Sequence, residues 1–408
     1  MDEDPPVPNL SSRFECPILD WETQSMIEIF RAAIENGASD IHIKAGDMVR
    51  ARLHGKLVPM TEQRLSQDQV KDLAMKLIPR EKDRERIDDL FDLDCSWGLP
   101  GLGRFRVNIL RQRGSFMVVM RTIPIDVPTF EDLRLPPVLS TISDAERGLI
   151  LVTGITGAGK SSTQAAMVQH INKKYQRHIV TLENPIEFLH RDHKGSVTQR
   201  DIGTDTDSFM TGLRAALRQD PDVILIGEMR DTETIDTALK AAETGHVVIS
   251  TLHTQNAYQT ITRLLAVFPR DEQEIIRIRL AESLHAVISQ RLLPKKEGKG
   301  RVVACEIMPV TGTIRECILD PSRTQEIPEL IEEGRQHYGS QSFDQHLMDL
   351  VRSGQVEFEV AKLNANNPTD FDLKMNVFGS SSSSTGKGGA RVEQAGLADE
   401  MRNMMGDK

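Results

Sequence analysis

Aromatic residues are scarce in this chain and make up 4% of its 408 residues. Proteins that bind single-stranded nucleic acid combine a basic groove with aromatic side chains on which the bases stack. No basic stripe interleaved with aromatics is evident, and a formal net charge of −10 gives no global attraction to nucleic acid or anionic lipid. We therefore expect no nucleic acid among the partners of this protein.

Cysteines and long apolar runs are also lacking. The four cysteines lie far apart and form no C-x-x-C pair, which argues against a structural zinc site and a disulfide framework. No stretch approaches the roughly 20 apolar residues needed to cross a bilayer. The acidic start MDEDPPVPNL does not resemble a secretory signal, so we expect a cytoplasmic location.

The length of the chain favours two domains with additional non-globular sequence. Shifts in composition and proline-rich stretches predict six segments. They are a flexible arm at 1–22, an N-terminal α+β domain at 23–125, a linker at 126–137, an α/β core at 138–278, a helical part of the same domain at 279–368, and a flexible Ser/Gly-rich tail at 369–408.

The first predicted domain combines a helix with alternating strands. Residues 21–34 carry apolar side chains at helical spacing and end at an Asn-Gly pair, which is typical of a helix C-terminus. Alternation of apolar and polar residues then predicts half-buried strands. These strands are expected at 40–43, 50–57, 104–110 and 115–121.

From residue 148 onward the pattern changes to short apolar runs that alternate with helices, which is typical of a parallel sheet covered on both faces. The runs lie at 149–152, 179–182, 223–226 and 247–249. Beyond about residue 278 we predict a helical bundle. Its helices are expected at 282–293, 342–351 and 356–363.

One apolar run leads directly into a phosphate loop. Residues 154–161 read GITGAGKS and fit the pattern G-x-x-x-x-G-K-[ST] between a strand and a helix. The glycines let backbone N–H groups surround phosphate oxygens, Lys160 supplies positive charge, and the Ser161 hydroxyl suits magnesium. This motif predicts ATP and Mg²⁺ as ligands. The predicted phosphate-binding residues are Gly154, Thr156, Gly157, Ala158, Gly159, Lys160, Ser161 and Ser162.

Acidic residues follow two of the other apolar runs. Glu228 comes after the run 223–226 and is our candidate for the magnesium shell, together with Ser161. Phosphoryl transfer to water also needs a group that positions or deprotonates the water. Glu183 and Glu187, after the run 179–182, are both candidates for that role.

With these motifs the chain resembles the type IV pilus retraction ATPases of the PilT type, within the secretion ATPase superfamily. The resemblance covers about residues 24–365. It is carried by the acidic box TLENPIEF at 181–188, by GEMRD at 227–231, and by a histidine box from 244 to 254. The segments GASDIH at 37–42 and RFRVN at 104–108 also match the family.

The resemblance implies a RecA-like P-loop ATPase core with a parallel sheet, preceded by a small PAS-like α+β domain and followed by C-terminal helices. It also implies a role for individual residues. Glu187 would be the catalytic base, Glu228 the magnesium-linked acid, and His253 a sensor of the γ-phosphate. Arg106 and Arg121, on adjacent strands of the first domain, match arginines that close onto the nucleotide.

Two segments depart from the family pattern. Asn184 stands where the acidic box commonly carries aspartate, and the segment TIRECI at 313–318 only partly matches the Ala-Ile-Arg-Asn-Leu-Ile motif of retraction ATPases. An accessory ATPase of the PilU type, a pilus-extension or type II secretion ATPase, and a non-hydrolysing regulator therefore remain alternatives. The absence of a cysteine-quartet insert and of a long N-terminal domain favours retraction.

The same resemblance implies partners and a location. We expect a homo-hexamer that acts on an inner-membrane platform protein of the pilus, with a second retraction ATPase as a further possible partner. Through that machine the protein would lie at the cytoplasmic, inner face of the inner membrane.

Overall fold

A computed structural model describes residues 23–99, 101–124, 126–298 and 300–381 of the chain. The predicted arm at 1–22 and the part of the predicted tail beyond residue 381 lie outside these ranges.

The first part of the structure is a six-stranded antiparallel sheet with helices packed against it. Its core is built from the apolar sides of the sheet and of the first two helices. The sheet order is β3-β2-β1-β6-β5-β4. The elements are α1 (Thr23–Glu35), β1 (Asp40–Lys44), β2 (Arg50–Leu53), β3 (Lys56–Pro59), α2 (Gln67–Leu77), α3 (Glu81–Glu85), a 3₁₀ turn (Ile87–Asp89), β4 (Asp92–Leu99), β5 (Gly103–Gln112) and β6 (Ser115–Ile123).

The predicted strand at 50–57 is two strands joined by a tight turn, so this prediction was wrong. His54 and Gly55 have φ angles of 49° and 83°, the left-handed conformation that a two-residue hairpin turn requires. Only the first strand contributes to the core, through Ala51 and Leu53, whereas Leu57 in the second strand is 41% exposed. The strand β4 was not predicted.

The second part is a seven-stranded sheet in the order β13-β12-β7-β11-β10-β8-β9. All neighbouring strands run parallel except β12 and β13. Buried residues cover both faces of the sheet. Its elements are α4 (Val138–Ser143), β7 (Gly148–Thr153), α5 (Lys160–Lys174), β8 (His178–Glu183), β9 (Ser196–Asp201), α6 (Phe209–Ala216), β10 (Val223–Ile226), α7 (Thr232–Glu243), β11 (Val247–Leu252), α8 (Ala257–Ala266), α9 (Gln273–Ser283), β12 (Leu284–Pro294) and β13 (Arg301–Pro309).

The helix predicted at 282–293 is wrong, because Leu284–Pro294 forms the strand β12 between β7 and β13. This strand is buried on both faces and therefore lacks the alternation that identifies a half-buried strand. Periodicity alone does not distinguish such an apolar run from a buried helix.

Helices follow the second sheet in the part of the chain that the structure describes, as predicted. They are α10 (Gly312–Leu319), a 3₁₀ turn (Thr324–Glu326), α11 (Ile327–Glu333), α12 (Arg335–Tyr338), α13 (Phe343–Arg352), α14 (Phe358–Asn364) and α15 (Pro368–Ser381). The helix α15 occupies 369–381, which we had assigned to the flexible tail, and its Phe371 is buried against α14. Among the described residues, no helix has the length and apolar character needed to cross a membrane.

The structure confirms an α/β fold with a parallel sheet, a smaller α+β part before it and helices after it. The PAS-like character of the first part and the domain boundaries stay predictions.

The segment at 313–318 lies on α10 and separates its apolar and polar sides. Ile314 is 2% exposed and belongs to the main core, whereas Arg315 is exposed. We predict that Ile314→Ala lowers the free energy of unfolding by about 2–5 kcal/mol, because it leaves a cavity in a packed core. Urea denaturation measures this change. Arg315→Ala is the control on the same helix and should leave stability within about 0.5 kcal/mol of the wild-type value; equal loss in both variants would contradict the assigned faces.

Candidate active site

The carboxyl ends of β7, β8, β10 and β11 meet at one edge of the second sheet, where they border a cleft of about 610 Å³. Parallel sheets place their ligand sites at this edge. Most of the residues predicted for the site line the cleft. They are Arg106, Thr156, Gly157, Gly159, Lys160, Ser161, Ser162, Glu187, Glu228 and His253.

The phosphate loop leaves β7 through a glycine that no other residue can easily replace. Gly154 has a φ angle of 141°, and a Cβ atom there would lie 2.6 Å from the carbonyl oxygen of Gln290 in β12. Gly159, at the N-terminus of α5, also has a left-handed φ angle, of 90°. The loop therefore follows a path on which backbone amides can surround an anion. Ala158, the remaining predicted loop residue, is buried beneath it.

Lys160 is the first residue of α5, and its side chain is buried beside the loop. Its Nζ atom donates hydrogen bonds to the carbonyl oxygens of Gly154 (2.9 Å) and Ile155 (3.1 Å). Burial lowers the pKa of Lys160, and the negative charges of Glu187 and Glu228 partly oppose this shift. Glu187 and Glu228 therefore both act electrostatically on the buried ammonium group of Lys160.

Glu228 is placed by the strand ends around it. The Thr251 hydroxyl donates to the carbonyl oxygen of Gly227 at 2.6 Å, which fixes the turn at the end of β10. The Glu228 carboxylate, 18% exposed, contacts Arg230 at 2.7 Å and lies 3.7 Å from Nε2 of His253. This carboxylate thus points into the cleft with a cation on one side.

The two candidates for the catalytic base occupy different environments. Glu183 ends β8, is half-buried and also lines the cleft, and burial raises the pKa of its carboxyl group despite hydrogen bonds from Thr181 (2.7 Å) and Gln199 (3.1 Å). Glu187 is exposed in the cleft, and its backbone N–H donates to Glu183 at 3.4 Å. Because Glu183 is already engaged by two side chains, Glu187 is the acid that is available to a ligand.

The two histidines of the histidine box lie at opposite ends of β11. His253 follows the carboxyl end and is 51% exposed in the cleft. His246 precedes the amino end, where its Nδ1 atom lies 2.9 Å from the carbonyl oxygen of Ala241 at the end of α7. His246 therefore contributes to the local fold and lies away from the cleft.

The two predicted arginines are register partners on β5 and β6, but only Arg106 lines the cleft. Arg121 instead donates from Nε to Asp40 at 3.1 Å. The structure therefore brings Arg106 to the other candidate residues, while the role of Arg121 stays a prediction.

Several cleft residues were not predicted. Arg230 belongs to the motif GEMRD at 227–231, and its position two residues after Glu228 was the signal that could have identified it as a cleft residue. Gln164 lies one helical turn after Lys160, so it shares the face of α5 that meets the phosphate loop. Its Nε2 atom is buried without a hydrogen-bond partner among the described residues. Leu292 and Arg301 come from the strands β12 and β13, where we had expected helix.

The donor groups at the cleft suit a triphosphate with magnesium. Ser161 and Glu228 provide hard oxygen donors, and no described cluster of three or more His, Cys, Asp or Glu side chains forms a complete metal cage. Magnesium is commonly held by one or two protein oxygens together with phosphates and water. The residues therefore fit Mg²⁺ bound with its nucleotide.

Comparison with known proteins identifies the family. The family model described as "Type II/IV secretion system protein" matches residues 22–362. The chain belongs to this family. The retraction ATPase PilT of Pseudomonas aeruginosa is 43% identical over 344 residues, which cover 84% of this chain and 99% of PilT. The type IV pilus ATPase PilU of the same organism is 35% identical over 352 residues, 86% of this chain and 91% of PilU.

The crystal structure of the pilus retraction motor PilT with bound ADP superposes with a TM-score of 0.77. The sequence in that crystal structure is 42% identical to the present chain, and the match covers 85% of the present chain and 99% of the PilT chain. The resemblance to PilT-type ATPases that the motifs indicated is thereby confirmed, together with the fold class.

Gly154 provides a test of the loop geometry. We predict that Gly154→Ala weakens binding of a fluorescent adenine nucleotide about tenfold or more, since strained backbone of this kind costs about 1–3 kcal/mol. Gly312→Ala is the control, because a Cβ atom there meets nothing within 4 Å. Unchanged binding by Gly154→Ala would show that the loop does not need this conformation.

Proposed function

We propose that this protein is a hexameric motor ATPase that hydrolyses ATP to power type IV pilus retraction, and hence twitching motility. The observation that carries the proposal is the convergence of Lys160, Glu187 and Glu228 with Arg106 in one cleft. These groups match the needs of phosphoryl transfer to water, which depends on positioning and on stabilisation of charge.

Each group has a distinct part in this reaction. The loop amides and Lys160 would hold the phosphates, and Ser161 and Glu228 would hold a Mg²⁺ ion, which would supply positive charge to the phosphate oxygens. Glu187 accepts a proton from the attacking water. His253, next to Glu228, contacts the γ-phosphate, and a fixed guanidinium from Arg106 stabilises the charge that develops in the transition state.

Motor action requires that hydrolysis change the arrangement of two parts of the molecule. Arg106 belongs to the antiparallel sheet, whereas the loop, Glu187 and Glu228 belong to the parallel sheet. Binding and release of the nucleotide would therefore close and open the space between the two sheets. In a ring of six subunits, these movements would act on the platform protein at the inner face of the inner membrane.

An accessory ATPase of the PilU type is the second candidate function. The observation that favours it is the divergent segment at 313–318, where Arg315 and Glu316 are exposed on α10. Such a protein would share the reaction and depend on a partner ATPase for retraction.

The reaction itself is tested with Glu187→Gln. We predict that this change lowers the turnover of ATP about 100-fold or more, because the amide keeps the shape but accepts no proton. Nucleotide binding should stay as in the wild type. Steady-state phosphate release and fluorescent-nucleotide titration measure the two quantities.

Glu146→Gln is the matched control, because Glu146 is exposed before the amino end of β7, at the edge opposite the cleft. If Glu187→Gln retains turnover within a few-fold of the wild-type value, Glu187 is not the base, and Glu183 becomes the candidate.

The direction of action is tested in cells. Deletion of the gene should abolish twitching and leave excess surface pili, whereas loss of pili would indicate an assembly ATPase.

We further predict that Arg315→Ala abolishes twitching at normal protein level and leaves ATPase activity of the purified protein unchanged. Arg263→Ala, an exposed arginine on α8, is the control. Normal twitching with Arg315→Ala would favour the accessory function.

A further inference from the structure

We propose that Asp201 is a positioning residue that holds Arg106 over the nucleotide cleft. This inference rests on the proposed function of Arg106. Asp201 ends the edge strand β9 of the parallel sheet, and its carboxylate is 3% exposed. Its partners lie in the other sheet of the molecule.

One carboxylate oxygen of Asp201 joins the two sheets. Oδ2 accepts a hydrogen bond from the Ser96 hydroxyl of β4 and another from Nη2 of Arg104 in β5, at 2.9 Å. Ser96 is buried as well. Charge-assisted contacts of this kind are strong when they are shielded from water.

Both partners of Asp201 are neighbours of Arg106. Ser96 is the register partner of Arg106 across β4 and β5. Arg104 precedes Arg106 by two residues on the same strand, and residues two apart on a strand share a face. The carboxylate of Asp201 therefore contacts the same face of the antiparallel sheet from which Arg106 reaches the cleft.

On its own sheet, Asp201 is the register partner of Glu183, the last residue of β8. The loop with Glu187 begins directly after that strand. Asp201 thus fixes the distance between the arginine side and the acidic side of the cleft through one buried contact.

Loss of this carboxylate would leave Arg104 partly buried without its counter-ion. Its Nε atom is already buried without a hydrogen-bond partner among the described residues. Because an uncompensated charge of this kind is strongly destabilising, the antiparallel sheet would shift to hydrate Arg104. Arg106 would move with it, since both belong to β5.

A second ion pair between the same two parts of the molecule provides a matched control. Arg80, after α2, lies 3.7 Å from Asp207, whose side chain is 83% exposed. Arg80 is 26% exposed, about as much as Arg104 at 25%, so the two pairs differ in the carboxylate, which is exposed in Asp207 and buried in Asp201. Asp207→Ala therefore removes a longer contact to an exposed carboxylate between the same two parts of the molecule, and such contacts contribute little to stability.

The test combines Asp201→Ala with Arg106→Ala in the full-length protein. We expect each single change to lower kcat for ATP about 10-fold or more, with KM changed by less than about threefold. The double variant should be no slower than Arg106→Ala alone, because Asp201 acts through Arg106. Asp207→Ala should keep wild-type turnover. Multiplied losses in the double variant, or wild-type kcat in Asp201→Ala, would overturn the proposal.

Amide hydrogen exchange tests the same contact independently of ATP turnover. Amides of β4, β5 and β9 should exchange faster in Asp201→Ala than in the wild type or Asp207→Ala, and unchanged exchange would overturn the proposal. A wild-type protein that hydrolyses no ATP would reject the proposed function, and the exchange rates would then still decide whether Asp201 holds the two sheets together.

Discussion

The parallel alignment of four buried strands is the constraint on which the site depends. Because β7, β8, β10 and β11 run in the same direction and are covered on both faces, their carboxyl ends reach one edge together. The phosphate loop, Glu187, Glu228 and His253 each follow one of these strands directly or within a few residues. Residues up to about 100 positions apart in the chain thus share one cleft, while the helices between the strands lie on the faces of the sheet.

The charged groups in the cleft are bound to other protein groups, which a ligand could replace. Lys160 is bound to two loop carbonyls and faces two carboxylates, and Glu228 is paired with Arg230. In the proposed reaction, the phosphates of the nucleotide would take over these partners. Binding would then replace existing ion pairs and hydrogen bonds, which would limit the desolvation cost of a buried charge.

Much of this arrangement could be predicted from the sequence, because short motifs carry their own local geometry. The phosphate loop and the acidic residues after apolar strands belong to that class. The strand β12 was missed, since burial on both faces removes the alternation that identifies strands. Arg301, on β13, was missed with it. The contact of Asp201 with Ser96 and Arg104 joins residues about 100 positions apart, and no local sequence pattern predicts a contact at that separation.

The close approach of Gly154 to Gln290 has a consequence for protein engineering. The loop lies directly on the backbone of β12, and Gln290 in turn donates from Nε2 to Thr163 of α5 at 2.7 Å. The conformation of the eight-residue motif therefore depends on the neighbouring strand β12 as well as on its own residues. A transplant of residues 154–161 into another α/β scaffold would reproduce the loop conformation only if the host sheet supplied a strand at the same distance, so the transferable unit is the loop together with its neighbouring strand.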